Sequence, residues 1–351
     1  MPTLFDPVTI GDLTLKNRVV MAPLTRARAI GEGRVPNALM AQYYAQRASA
    51  GLILSEATAV TPQGVGYANT PGLWSDEQVE GWKQVTAAVH AKGGVIFAQL
   101  WHVGRISDPS FLNGEAPVSA SAIPAAGHVS LLRPERPYPV PRALDTTELA
   151  GIVAAYKKAA ENAKKAGFDG VQIHGANGYL LDQFLQDKTN QRSDRYGGPV
   201  ENRARLMLEV TDAVIEVWGP QRVGMHLAPR RDAHDMGDSN PAETFGYVAR
   251  ELGKRKIAFI AAREAVGEDS LAPLIKQEFG GVFIANEKLN KVVAQGLLES
   301  GKADAVAFGK DYISNPDLVE RLKADAPLNP WKAETFYGAT EEGYTDYPAL
   351  A

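Results

Sequence analysis

The chain has 351 residues, 45% hydrophobic and 22% charged, with a formal charge of −4 at pH 7. That is the composition of a globular protein, without the clustered basic surface that nucleic acid binding requires. It contains no cysteine, which excludes disulfides, thiolate catalysis, zinc–thiolate centres and cysteine-held iron–sulfur clusters together. The start, MPTLFDPVTIGDL, lacks a basic segment followed by an apolar one. No apolar run reaches the roughly 18 residues of a membrane span, so a cytoplasmic protein without membrane contact is expected.

In chain order, Phe5 to Leu15 reads as a hairpin able to plug a barrel floor. Eight short strand-like runs follow: Arg18 to Ala22, Leu52 to Ser55, Val95 to Gln99, Val171 to His174, Val223 to Leu227, Ile257 to Ala261, Val282 to Ala285 and Ala305 to Phe308. Helical spacing marks Asn37 to Arg47, Asp76 to Ala91, Thr146 to Ala166, Glu201 to Val217, Pro241 to Leu252, Ser270 to Phe279, Lys288 to Glu299 and Asp317 to Lys323. Asp76, Thr146 and Ser270 stand where helix caps belong. Nearly continuous apolar strands alternating with helices make a parallel sheet covered by helices, and eight such units close a (β/α)8 TIM barrel, here one domain over 1–351. An open doubly wound sheet would carry a glycine-rich turn after its first strand, where APLTRAR stands instead. The stretch from Trp101 to Leu144, after the third strand, is rich in Pro and Gly and has the length of a lid or binding loop.

Barrel sites lie at the carboxyl ends of the strands. Those ends carry Thr25, Glu56, Gln99, His174, His226, Arg263, Asn286 and Lys310. IANEKLNK and FGKDYISNP, after the seventh and eighth strands, put small residues and lysines where barrels hold a phosphate on backbone N–H groups. RRDAHDMGD, Arg230 to Asp238, has metal-like spacing but matches no compact metal motif, and its aspartates are read as turn formers, with no metal expected. The run GVQIHGANGYLLDQF sets His174, Asn177 and Tyr179 at the edge of a buried strand.

LFDPVTIGDLTLKNRVVMAPLTR, FAQLWHVGR, HGANGYLLDQFL, NQRSDRYGG and FGKDYISNPDLVERL together resemble the Old Yellow Enzyme family of flavin-dependent ene-reductases. The likeness is greatest to the bacterial branch of N-ethylmaleimide, pentaerythritol tetranitrate and glycerol trinitrate reductases. The resemblance implies non-covalent FMN at the barrel mouth, reduced by NADPH or NADH. Pro23, Leu24 and Thr25 would then line the ring, Ala57 and Gln99 its pyrimidine edge, and His226 the N1 and C2 carbonyl side. Asn286, Glu287, Lys288, Gly309 and Lys310 would surround the phosphate. His174 and Asn177 would hold a substrate carbonyl or nitro oxygen, Tyr179 would give the proton, and Tyr67, Trp101 and Tyr337 would shape the pocket. The implied reaction is reduction of enones, maleimides and nitroalkenes in a ping-pong cycle. A nitrate-ester or nitroaromatic reductase would use the same site, and a flavin-free isomerase or aldolase barrel stays open on the anion site alone.

Three positions depart from the common family pattern. His226 replaces an arginine, so either a protonated imidazole makes flavin reduction pH-sensitive, or His226 is neutral, or Arg230 or Arg231 folds back to supply the charge. Lys310 replaces an arginine, keeping charge but losing the bidentate fork, which implies weaker FMN retention. Glu287 stands where glycine is frequent and is expected to point outward.

Overall fold

The computed structural model describes residues 1–230 and 233–350. The strands are β1 Val8–Ile10, β2 Leu13–Leu15, β3 Val19–Met21, β4 Leu52–Ala59, β5 Ile96–Trp101, β6 Val118–Ser119, β7 Arg142–Ala143, β8 Gly170–His174, β9 Val223–Leu227, β10 Phe259–Arg263, β11 Val282–Asn286 and β12 Ala305–Phe308. The helices are α1 Ala38–Gln46, α2 Asp76–His90, α3 Leu149–Lys165, α4 Leu180–Leu185, α5 Val200–Arg203, α6 Arg205–Trp218, α7 Pro241–Arg255, α8 Ala272–Phe279, α9 Lys291–Glu299, α10 Lys310–Ser314 and α11 Leu318–Ala324. Eight parallel strands close in the order β3, β4, β5, β8, β9, β10, β11, β12 and back to β3. The expected (β/α)8 barrel is the fold. No helix among the described residues is long and apolar enough to cross a membrane.

Alternation along each strand divides the residues into two sets. Val19, Met21, Ile53, Ile96, Val171, Ile173, Met225 and Ile260 pack outward with helix residues such as Trp82, Tyr156 and Phe245. Val20, Leu52, Leu54, Phe97, Phe259, Ile284 and Ala305 point inward, and Val8, Ile10 and Leu15 of the β1–β2 hairpin pack against them. The hairpin therefore plugs the barrel, as the sequence suggested. The rings of Phe97 and Phe259, 6.0 Å apart, fill the interior. Small neighbours make room for them: a Cβ on Gly170 would lie 2.4 Å from the Phe97 ring, and one on Gly224 would lie 2.2 Å from that of Phe259.

Several boundaries differ from expectation. β10 is Phe259–Arg263, two residues later than Ile257 to Ala261. Caps sit one residue earlier at two helices. Ser75 caps α2 in a capping box with Gln78, and Asp145 with Glu148 closes the turn before α3. At α8 the Glu264 carboxylate accepts the N–H groups of Leu271 and Ala272, both at 2.9 Å, and Ser270 Oγ assists at 3.2 Å. The Trp101 to Leu144 excursion is not structureless. It contains a 3-10 turn at Pro109–Phe111 and the paired β6 and β7, and Val103, Ile106, Val129 and Tyr138 pack with Tyr67 and Trp101.

The tight Gly224 contact yields a prediction. Gly224→Ala should destabilise the barrel by about 1–3 kcal/mol through overpacking against Phe259, read as a lower urea midpoint at unchanged slope; an unmoved midpoint would contradict the close fit.

Candidate active site

The inward-facing set that is apolar at the floor becomes polar at the carboxyl end. Gln99 follows Phe97, Gln172 and His174 follow Gly170, His226 follows Gly224, Arg263 follows Ala261, and Asn286 follows Ile284, each at an interval of two. These ends open into a cavity of about 560 Å³. It is lined by Pro23, Leu24, Thr25, Ala57, Gln99, Trp101, His174, Asn177, Tyr179, His226, Asn286, Glu287, Lys288, Gly309, Lys310 and Tyr337, which is every site residue that the family resemblance implied except Tyr67. Tyr67 lies just behind, its hydroxyl 2.9 Å from that of Tyr179 and its ring stacked 5.4 Å from Trp101.

Glu56 is absent from the lining for a definite reason. A bulge between Leu54 and Ala57 breaks the β4–β5 register, so Ala57 pairs with inward-facing Gln99 and takes the cavity position. Glu56 turns aside, where Tyr44 Oη donates to its carboxylate (3.3 Å) and to which the Arg26 N–H also donates (3.4 Å). Burial pushes that carboxyl up to about 7.

His174 and His226 sit side by side in register on β8 and β9, ring centroids 5.2 Å apart. Burial first, then the positive charge of Arg263, lowers His226 to about 3. Burial, His226 and Arg263 hold His174 well below its usual range. Both rings are therefore neutral at physiological pH. The Ala176 N–H approaches His174 Nδ1 at 3.4 Å, which leaves Nε2 as the protonated donor. On the floor, Gln99 Nε2 donates to Gln172 Oε1 at 2.9 Å and lies 3.3 Å from His226 Nδ1.

Asn177 does not reach this place through helical spacing. It adopts φ 59° and Gly178 φ 79°, two successive left-handed residues that asparagine and glycine tolerate best. They reverse the chain between β8 and α4. Asp182 accepts the Gly178 N–H at 2.9 Å, and the Asn177 carbonyl lies 2.8 Å from His234 Nδ1. Tyr179 follows at the start of α4, edge-on to Trp101 at 5.1 Å and to His174 at 5.0 Å. Burial raises the Tyr179 and Tyr67 phenols above their ordinary value, so both stay protonated.

Of the three readings of His226, burial favours the neutral one, and Arg230 turns away, donating to Glu264 at 2.5 Å and pairing with Asp269. Arg231 lies outside the described residues, as does Asp232. Among the described residues, Arg263 is the cavity cation that acts on His226. Glu287, expected to point outward, instead faces Arg263, with Oε2 2.6 Å from Nε. In the RRDAHDMGD run, Asp235 and Asp238 are paired with Lys188 and Arg203.

Sequence reasoning missed Trp331 and Phe336, which close the cavity from the C-terminal segment. Buried arginines from far upstream hold that segment. Arg26 donates to Phe336 O (3.0 Å) and Gly343 O (2.8 Å), and Arg28 to Phe336 O (2.9 Å) and Thr335 O (3.0 Å). Tyr344 stacks on Tyr43 at 4.0 Å, with the Arg28 guanidinium 4.5 Å from its ring.

The model of the NADH:flavin oxidoreductase / NADH oxidase family matches residues 3–329. The chain belongs to this family. It is 44% identical to a putative 12-oxophytodienoate reductase 11 of Oryza sativa subsp. japonica over 99% of this chain and 97% of that one. It is 43% identical to a probable flavin mononucleotide-dependent alkene reductase of Leishmania infantum, over 99% and 97%. Among solved structures, the Old Yellow Enzyme homologue of Zymomonas mobilis superposes with a TM-score of 0.96 at 47% identity, covering 99% of this chain and 100% of that one. Morphinone reductase in complex with tetrahydroNAD gives 0.96 at 48%, covering 100% and 98%. This flavin oxidoreductase is an Old Yellow Enzyme homologue, and the flavin-free isomerase or aldolase reading is set aside.

The cavity suits FMN on its own chemistry. Pro23, Leu24 and Ala57 give apolar walls, Thr25, Gln99 and His226 give uncharged polar groups, and Lys288 and Lys310 give positive charge. Gln172 Nε2 and Trp101 Nε1 are buried donors without a partner among the described residues. A Cβ on Gly309 would meet only Leu24, at 3.5 Å. Protein packing therefore does not demand the missing side chain, which leaves a slot beside Lys310.

Because His226 is neutral above a pH of about 3, falling pH adds no charge to it across the range of about 5 to 8 where an ordinary histidine titrates. Plots of flavin midpoint potential against pH for wild type and His226→Gln should run parallel there. An inflexion near 6.5 that the substitution removes would contradict the assignment.

Proposed function

We propose that the protein is an NAD(P)H-dependent ene-reductase acting on alkenes conjugated to a carbonyl or nitro group, with 1–351 as one FMN-binding unit. NADPH serves as reductant ahead of NADH. The observation that carries the reading is that a neutral imidazole, a carboxamide and a buried phenol line the same cavity as apolar residues and lysines. FMN bound in this cavity would supply hydride to the β-carbon of an activated alkene, with reduced nicotinamide as the source of its electrons.

The protein's part is position and electrostatics. As the β-carbon accepts hydride, negative charge gathers on the conjugated oxygen. His174 Nε2–H and the Asn177 carboxamide N–H stabilise it as fixed donors that need no reorganisation. Neutral His174 suits this task, because it donates without first having to capture a proton from solvent. Tyr179 then gives its phenolic proton to the α-carbon. Its raised proton affinity keeps it loaded at every physiological pH, and its hydrogen bond with Tyr67 fixes the hydroxyl. Trp101, stacked between Tyr67 and His174 at 5.4 and 6.4 Å, keeps these rings aligned and excludes water.

Two measurements test this reading. NADPH added anaerobically to the yellow protein should bleach it, and 2-cyclohexenone should restore the colour; no reoxidation by an enone would contradict the function. Tyr179→Phe should slow that reoxidation by about 10²-fold or more, the usual scale of general acid catalysis, while leaving bleaching by NADPH nearly unchanged. An equal loss in both half-reactions would remove Tyr179 as proton donor. Faster bleaching by NADH than by NADPH would reverse the coenzyme order.

A further inference from the structure

Arg263 is in the cavity but has no part in the mechanism so far. It ends β10 on the inward-facing set, two residues beyond Ala261, which pairs with His226, and it is itself in register with Asn286 of β11. One guanidinium spans two loops. Nε donates to Glu287 Oε2 at 2.6 Å, and Nη1 donates to Asn177 Oδ1 at 3.4 Å. The backbone behind it is fixed, since buried Glu264 is tied to Arg230, to Ser270 Oγ and to the first N–H groups of α8.

The second contact decides something the shape of the cavity cannot. A carboxamide has nearly the same outline when turned by 180°, yet one orientation offers N–H to a substrate oxygen and the other offers a repelling lone pair. Arginine has five donors and no acceptor, so Arg263 can meet only the oxygen of Asn177. The amide N–H₂ is thereby left for the ligand. A positive charge on the carbonyl end also polarises the amide and strengthens its N–H as a donor.

The backbone bears a cost for this arrangement. Glu287 is held at φ 109° and Lys288 at φ 53°, a region in which side chains other than those of glycine and asparagine are strained. Glycine would relieve the strain but leave Arg263 without this carboxylate. The ion pair with Arg263 offsets the strain of a glutamate at a left-handed position.

We propose that Arg263, braced by Glu287, is a positioning residue that sets the Asn177 carboxamide with its N–H toward the substrate oxygen and raises its donor strength. The inference rests on the ene-reductase reading. It gives the cation at the end of β10 a route to the substrate through Asn177.

A double-mutant cycle tests it on the FMN-loaded protein, with wild type, Arg263→Met, Asn177→Ala and the double variant. The probe is 2-cyclohexenone, whose neutrality removes direct charge attraction to Arg263. Two quantities are read: its dissociation constant on the oxidised protein, from the perturbed flavin absorbance, and its single-turnover reoxidation rate on the reduced protein. Arg263→Met alone should weaken binding about three- to tenfold and slow reoxidation about tenfold, the scale of one lost or misdirected hydrogen bond in a desolvated site. On the Asn177→Ala background the same substitution should change either quantity less than about twofold, because the group it acts through is gone. Losses that multiply independently, or no loss in the single variant, overturn the proposal. Arg263→Gln, closer in shape and able to accept as well as donate, is the second variant should methionine disturb folding; the same signs are expected. A wild type that neither binds nor is reoxidised by the enone brings down the ene-reductase reading and this inference together, whereas missing coupling in an active wild type removes only the role of Arg263.

Discussion

Side chains alternate between the two faces of a strand, and closing eight parallel strands into a cylinder turns that alternation into a boundary between inside and outside. The strand-borne positions of the site depend on this constraint. The inward parity that places Phe97, Gly170, Gly224, Phe259 and Ile284 in the packed floor carries on to Gln99, His174, His226, Arg263 and Asn286 at the open end. A packed floor is thus continuous with a polar rim on the same strands, and the rim inherits the rigidity of the floor. The single bulge in β4 supports the argument by exception. One extra residue reverses the parity, moves Ala57 into the cavity and sends Glu56 behind it to Arg26 and Tyr44.

Much of this was legible in the sequence, and what was not has physical causes. Eight nearly continuous apolar runs separated by helical spacing pointed to the barrel, and strand ends pointed to the site. β10 was misplaced by two residues because Ile257 and Ala258 are apolar before the strand begins, while Ala261, Ala262 and Arg263 have little strand character of their own. How Asn177 joins His174 at the cavity was not legible in the sequence, because it depends on the left-handed Asn177–Gly178 pair that reverses the chain. Trp331 and Phe336 could not be found locally. Their placement depends on Arg26 and Arg28, about three hundred residues upstream, which form long-range hydrogen bonds that leave no periodic trace. Tyr337 was found only through the family resemblance.

Charge is distributed so that each cation is spent once. Arg26, Arg28 and Arg47 are committed to carbonyl groups and to the Tyr43–Tyr344 stack that anchors the C-terminal wall. Arg230 is committed to Glu264 and Asp269. Lys288 and Lys310 line the cavity. Arg263 sits beside two imidazoles that burial already keeps neutral, so under the proposed function the donors of His174 and Asn177 would not depend on pH through the physiological range. Such constancy suits a site whose donors must act before any proton is transferred.

The central claim is that His174 and Asn177 converge on one ligand oxygen above a bound flavin. A crystal structure of the FMN-loaded protein with p-hydroxybenzaldehyde tests it directly. The account predicts one ligand oxygen within about 2.7–3.2 Å of both His174 Nε2 and Asn177 Nδ2, the ordinary hydrogen-bond range, with the ligand ring lying against the flavin. A ligand oxygen bound elsewhere in the cavity, or either side chain turned away from it, would contradict the account.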